Sequence, residues 1–278
     1  MRADVGGAAR VQELAAGVYA LSGLVDLEAT PVSWVPPGVR GFDPATCYLL
    51  LDGGEAHLID TGMRAHGPRL VEQLAGLIAP STPLHVALTR VEPDSLGNLD
   101  TIADRHHVVR VSSQSNVIPF DYLGPLSARY PDTAINNGLL PGDVVTWAGG
   151  RRLLVLEPAV RTLPTLWLLD EPTGTLFTSD CFGATQVAGD WTPMADGGVE
   201  GARRHLLAKF DWLAMADTSA PVARLDRLVA THDVSAIGPA HGLWATGADA
   251  VRGTFATTRA ALVAARVRQE AERRCSST

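Results

Sequence analysis

The chain has 278 residues, 46% of them hydrophobic and 19% charged, with a formal net charge of -7. It is long enough to bury a substantial core in one domain, and its acidity gives no electrostatic case for nucleic acid or an anionic membrane as partner. Cys47, Cys181 and Cys275 are too few and too scattered for a disulfide framework or a zinc knuckle. A reducing, cytoplasmic setting is therefore expected.

No run of eighteen apolar residues suggests a membrane span, and the first residues, with Arg2, Asp4, Arg10 and Glu13, do not read as a leader peptide. Lys209 is the only lysine. The first half reads as strands followed by helices. Residues 17–24 and 46–51 are apolar, β-branched or aromatic runs, and Asp52-Gly53-Gly54-Glu55 joins the second to 56–59 as a hairpin. Asp60-Thr61-Gly62 supplies turn chemistry. An amphipathic helix over 69–78 precedes a short strand at 84–88, then come a helix near Leu99, a strand at 107–111 and a helix over 115–129.

In the second half, 153–156, 165–169 and 175–177 read as strands, the last two joined by Asp170-Glu171-Pro172-Thr173-Gly174. Helices follow at 200–216 and 222–231, then a brief strand at 236–237 entering Gly238-Pro239-Ala240-His241-Gly242, and a long helix over 248–272. Strands with helices after each set point to two sheets covered by helices. No repeat or polar linker divides the chain, so residues 1–278 are read as a single domain.

Chemistry concentrates where the strand at 84–88 ends, in Thr89-Arg90-Val91-Glu92-Pro93-Asp94-Ser95-Leu96-Gly97-Asn98. Together with Leu58-Ile59-Asp60-Thr61-Gly62, Thr178-Ser179-Asp180-Cys181 and Gly238-Pro239-Ala240-His241-Gly242, this loop resembles the metallo-β-lactamase fold, in particular the oxygen-reducing domain of flavodiiron proteins. The resemblance implies an α/β fold, a four-layer αββα sandwich. It also implies that two histidine positions of the metal loop fall on Arg90 and Ser95 while Glu92 and Asp94 remain. A third histidine position falls on Arg161, Asp180 matches the bridging carboxylate, and His241 matches the late ligand.

A guanidinium has no lone pair for a metal and pairs with carboxylates instead. The first metal site is therefore expected to be closed by an ion-pair network of Arg90 and Arg161 with Glu92 and Asp180. Asp94, Asp180 and His241 remain as a candidate mononuclear site for iron, with manganese or zinc as lesser choices and a metal-free pocket as the alternative. The catalytic candidates are Arg90, Glu92, Asp94, Arg161, Asp180 and His241.

These residues suggest an enzyme acting on a small organic substrate, aromatic or anionic, as an oxidoreductase through that residual iron. The alternatives are metal-independent rearrangement, cyclisation, elimination or hydrolysis, and ligand binding without catalysis. The resemblance further implies a homodimer and, for redox chemistry, a separate electron donor. Loops at 24–45 and 184–198, with Trp34, Phe42, Trp147, Trp167, Trp191 and Trp244, are expected around the pocket. Cys181 beside Asp180 reads as a buried thiol, or as a nucleophile if its pKa is lowered.

Overall fold

The computed structural model describes residues 9–30, 32–114, 129–147 and 149–275, with the side chains of 137 and 266–275 left aside. A first, seven-stranded sheet runs in sequence order: β1 (Arg10–Ala15), β2 (Val18–Asp26), β3 (Phe42–Asp52), β4 (Glu55–Ile59), β5 (Leu84–Ala87), β6 (Val108–Gln114) and β7 (Ala134–Leu139). Strands β1 to β4 pair antiparallel, and β4 to β7 parallel. The expected hairpin closes with Asp52 opposite Glu55, and its two glycines both take positive φ.

The second sheet has six strands, β8 (Val144–Thr146), β9 (Arg152–Leu156), β10 (Trp167–Asp170), β11 (Thr175–Ser179), β12 (Ala236–Pro239) and β13 (Ala245–Thr246), ordered β13-β12-β11-β10-β9-β8. Only β11 and β12 run parallel in it. Residues alternate between two burials along the central strands. Tyr48, Leu50 and Ile59 meet Leu153, Leu166, Leu168 and Phe177 between the sheets, while Leu49 and Leu58 pack outward under α1 (Gly67–Ala75), α2 (Pro93–Leu96) and α3 (Leu99–Ala103). Strands covered on both faces read as continuous apolar runs, which is why they were visible in the sequence.

Helices α4 (Gly198–Lys209), α5 (Ser219–Thr231) and α6 (Ala248–Cys275) cover the outer face of the second sheet through Leu206, Leu225, Phe255 and Leu262. Two mixed sheets flanked by helices form the αββα sandwich that the resemblance implies. The expected helix at 115–129 lies outside the described residues apart from Arg129. Strands β2 and β3 continue past the expected ends to pair Asp26 with Phe42, so the first loop shrinks to 27–41. The expected 200–216 helix is α4 followed by a separate 3-10 turn at Asp211–Ala214. No helix among the described residues is long and apolar enough to cross a membrane.

Candidate functional site

The site lies at one edge of the sandwich, where β5, β11 and β12 end and β3 begins. Asp60, with φ 59°, turns the chain after β4 and accepts from Thr89 N at 2.8 Å and Thr89 Oγ1 at 2.6 Å. This ties the ends of β4 and β5 together and delivers Arg90. Burial pushes the Asp60 carboxyl up to about 7, against the hydrogen bonds from Thr89. Ser179 takes φ 54° at the end of β11 and turns Asp180 inward. On β12, a Cβ at Gly238 would stand 2.7 Å from the ring of Tyr48, whose hydroxyl donates to Pro239 O at 2.7 Å, so the glycine lets this strand approach β3 and place His241.

Arg90 is the centre of the site. Only 1% exposed, it presents each nitrogen to a different carboxylate: Nε to Glu92 Oε2 at 2.6 Å, Nη2 to Asp94 and Nη1 to Asp180. Nη1 also donates to Ser179 Oγ at 2.7 Å. Burial alone would lower the guanidinium's pKa, but Asp180, Asp94 and Glu92 outweigh it and hold Arg90 charged. No nitrogen is left for a substrate anion.

His241 stands beside this cluster, with Nε2 2.8 Å from Asp94 Oδ2 and Nδ1 3.7 Å from Asp43 Oδ2. An ionised Asp94 only accepts, so Nε2 carries the proton, and its 3.4 Å approach to Arg90 Nη2 is a contact between donors. Burial works to raise the Asp94 carboxyl, yet the His241 hydrogen bond and the Arg90 charge hold it well below the usual carboxylate range. Asp43 is fully buried and raised by that burial, although Trp34 Nε1 donates to it at 3.0 Å and Gln186 Nε2 at 3.2 Å. The Trp34 ring stacks on His241 with centroids 4.5 Å apart. Lys209 Nζ lies 3.1 Å from Asp180 Oδ2 and 5.7 Å above the Trp34 ring.

The sequence placed Glu92, Asp94, Asp180, His241 and Arg90 together, and the structure does the same. Arg161 is exposed, and among the described residues it makes no ion pair with Glu92 or Asp180. The cation expected from Arg161 is supplied instead by Lys209, which arrives from the end of α4. Ser95 is buried, its hydroxyl without a hydrogen-bond partner among the described residues, and its carbonyl accepts from Thr61 Oγ1 at 3.0 Å. Trp147 and Trp167 belong to the core rather than to a rim, whereas Trp34 does cover the site. Burial pushes the Cys181 thiol up to about 12, which removes the nucleophile reading and leaves a structural thiol.

A two-metal centre does not fit these residues, because the Arg90 guanidinium stands among the carboxylates that would hold it. A single ion fits better. Asp94, Asp180 and His241 offer ligand atoms all within 4.8 Å of one another, and Asp94 Oδ1 is buried with no hydrogen-bond partner among the described residues. Any such ion competes with Arg90 for both carboxylates, which makes this a weak, degenerate site.

The fold is the metallo-β-lactamase-type sandwich also found in flavodiiron proteins, and Asp94, Asp180 and His241 form an incomplete candidate metal site within it. No protein-family model matches the chain. It is 31% identical over 139 residues to a protein described as a diflavin flavoprotein, A 1, of Thermosynechococcus vestitus, covering 49% of this chain and 23% of that protein. The chain spans less than two thirds of each curated relative it matches. Among solved structures, a fragment of diflavin flavoprotein A 5 from Nostoc superposes with a TM-score of 0.67 at 15% identity, covering 95% of this chain and 99% of that one. Rubredoxin oxygen:oxidoreductase from Desulfovibrio gigas gives 0.67 at 15% identity, covering 90% and 61%. The scaffold is thus one shared with an oxidoreductase.

Proposed function

We propose that the chain is an enzyme of small-molecule chemistry that works by proton transfer without a metal, in a rearrangement, cyclisation or elimination. The observation that supports this most is Arg90, whose fixed cation stands among Glu92, Asp94 and Asp180, where a metal ion would otherwise sit. Glu92 keeps 31% of its side chain exposed and, with Lys209, lines a cavity of about 150 Å³ beside Trp34. Its carboxylate is the base: it takes a proton from a substrate C–H or O–H. Negative charge then develops on a substrate oxygen, where the Lys209 ammonium stabilises it, and Glu92 returns the proton to the rearranged product.

The second reading, an oxidoreductase with one iron held by Asp94, Asp180 and His241, draws on the unpartnered Asp94 Oδ1 and the proximity of the three ligand atoms. Bound iron would supply electron transfer and oxygen chemistry. Two measurements separate the readings. Protein purified without chelator is expected to contain far less than one metal per chain, and in deuterated water it should exchange the acidic C–H of added enolisable ketones, with the exchange lost in Glu92→Gln. Stoichiometric metal that disappears in Asp94→Ala and His241→Ala would overturn the proton-transfer reading in favour of iron.

A further inference from the structure

A groove of about 510 Å³ runs along α6 and is closed by the segments at 182–185 and 243–246. Its lining includes no member of the charged cluster around Arg90. Small-molecule sites span roughly 300–1,000 Å³, so this one has room for a ligand of its own.

Five threonines line the groove: Thr254, Thr257 and Thr258 from α6, and Thr185 and Thr246 from the segments opposite. A threonine inside a helix commonly turns its hydroxyl to the carbonyl four residues back. Thr254 does so, donating to Ala250 O at 2.9 Å. The hydroxyls of Thr185, Thr246, Thr257 and Thr258 make no hydrogen bond among the described residues. Thr258 is the most informative of them. Only 6% of the residue is exposed, yet its hydroxyl is not sealed from solvent. A polar group so enclosed, with no protein partner, is satisfied by what enters the groove, water or a ligand.

Charge and shape narrow the class of ligand. Asp196 is the one charged side chain in the lining, so an anion meets repulsion with no cation to offset it. One Asp196 oxygen accepts from Gly198 N at 2.8 Å, and the carboxylate retains capacity for a further donor. Each threonine hydroxyl can both donate and accept, which matches a ligand whose own groups do both. Trp244 adds an aromatic wall against which C–H groups can pack.

We infer that the groove along α6 binds an uncharged, hydroxyl-rich molecule, a polyol or a small saccharide. Its hydroxyls exchange hydrogen bonds with the threonines and Asp196, and a C–H face lies against Trp244. The inference stands apart from the proton-transfer reading and needs neither Glu92 nor Lys209. Saturation-transfer NMR with maltose, methyl β-glucoside and myo-inositol tests it, with hexan-1-ol and hexanoate as apolar and anionic comparisons. The hydroxyl-rich probes should receive saturation and the comparisons should not. Thr258→Val keeps the shape and removes a hydroxyl that has no protein partner, so it should weaken the best probe about three- to tenfold, the worth of one neutral hydrogen bond.

Gly253 lines the groove, and a Cβ there would meet no atom within 4 Å. Gly253→Leu therefore adds a helix-favouring side chain without crowding the fold, and it should abolish saturation of every probe while the melting temperature is kept or raised. No transfer to any of the three hydroxyl-rich probes, transfer unchanged in Gly253→Leu, or hexan-1-ol or hexanoate binding as well as the saccharides would overturn the inference.

Discussion

A buried arginine facing three carboxylates is stable only as a set. Removing one member of such a cluster leaves uncompensated charge, typically at about 3–5 kcal/mol. Arg90→Met is therefore expected to lower the unfolding free energy by that order in chelator, as measured by urea titration, and added manganese or zinc should restore part of it. The native chain should show no comparable metal-dependent gain, because Arg90 already supplies the charge. His57 is the opposite case. It is 2% exposed, stacked on His85 and tilted against Trp147, and neither ring nitrogen has a hydrogen-bond partner among the described residues. Nothing polar holds it as histidine, so His57→Phe should be neutral or stabilising by thermal melting at pH 7.5. At this scale the sequence was legible where a residue follows a short apolar strand in a recognisable segment, as Arg90, Asp180 and His241 do. Asp43 and Lys209 carried no such mark: one follows Phe42 in what read as a loop, and the other ends a helix, where a lysine ordinarily faces water and the helix dipole.

Elements hold the site through close backbone approaches. Gly97, between α2 and α3, has an ordinary negative φ, yet a Cβ there would lie 2.5 Å from Pro93 O, 2.7 Å from Gly62 O and 2.9 Å from Arg64 N. These are backbone atoms of two segments that cannot both yield. Gly97→Ala should therefore cost more than about 2 kcal/mol by denaturant titration, even though the same change in an open helix stabilises. Central strands and the Asp52-Gly53-Gly54-Glu55 turn were legible because burial on both faces writes itself as an apolar run. Strands β1, β7, β8 and β13 were not, because edge strands are held largely by backbone pairing. Ala134–Leu139, with its two asparagines and a glycine, shows no alternation and is a strand only because β6 offers it a parallel partner. The overlong 200–216 helix had a similar origin: its apolar spacing continues through Leu213, but the chain breaks at Phe210, whose backbone leaves the helical region with ψ 67°.

Across the whole molecule, pH acts through histidines buried without charge. Burial lowers His57, His66 and His85 below their ordinary value, and takes His205 to about 4. As pH falls below about 6.5, the unfolded chain binds protons that the native chain refuses, so stability is complete above that value and declines beneath it. For His57 the loss between pH 6.5 and 5 is about 2 kcal/mol, at 1.36 kcal/mol per pH unit. His205 stops contributing below its own value near 4. Melting temperatures measured from pH 7.5 to 5 should fall for the native chain, and fall less for His57→Phe. The salt bridge of Lys209 with Asp180 reaches beyond stability. Because no other lysine exists in the chain, an amine-acylating reagent has one side chain to modify, and it stands at the mouth of the cleft with 19% of its surface open. Apart from the α-amino group, covalent labelling of this protein is thus a reporter of cleft occupancy, readable by intact-mass spectrometry before any reaction has been assigned.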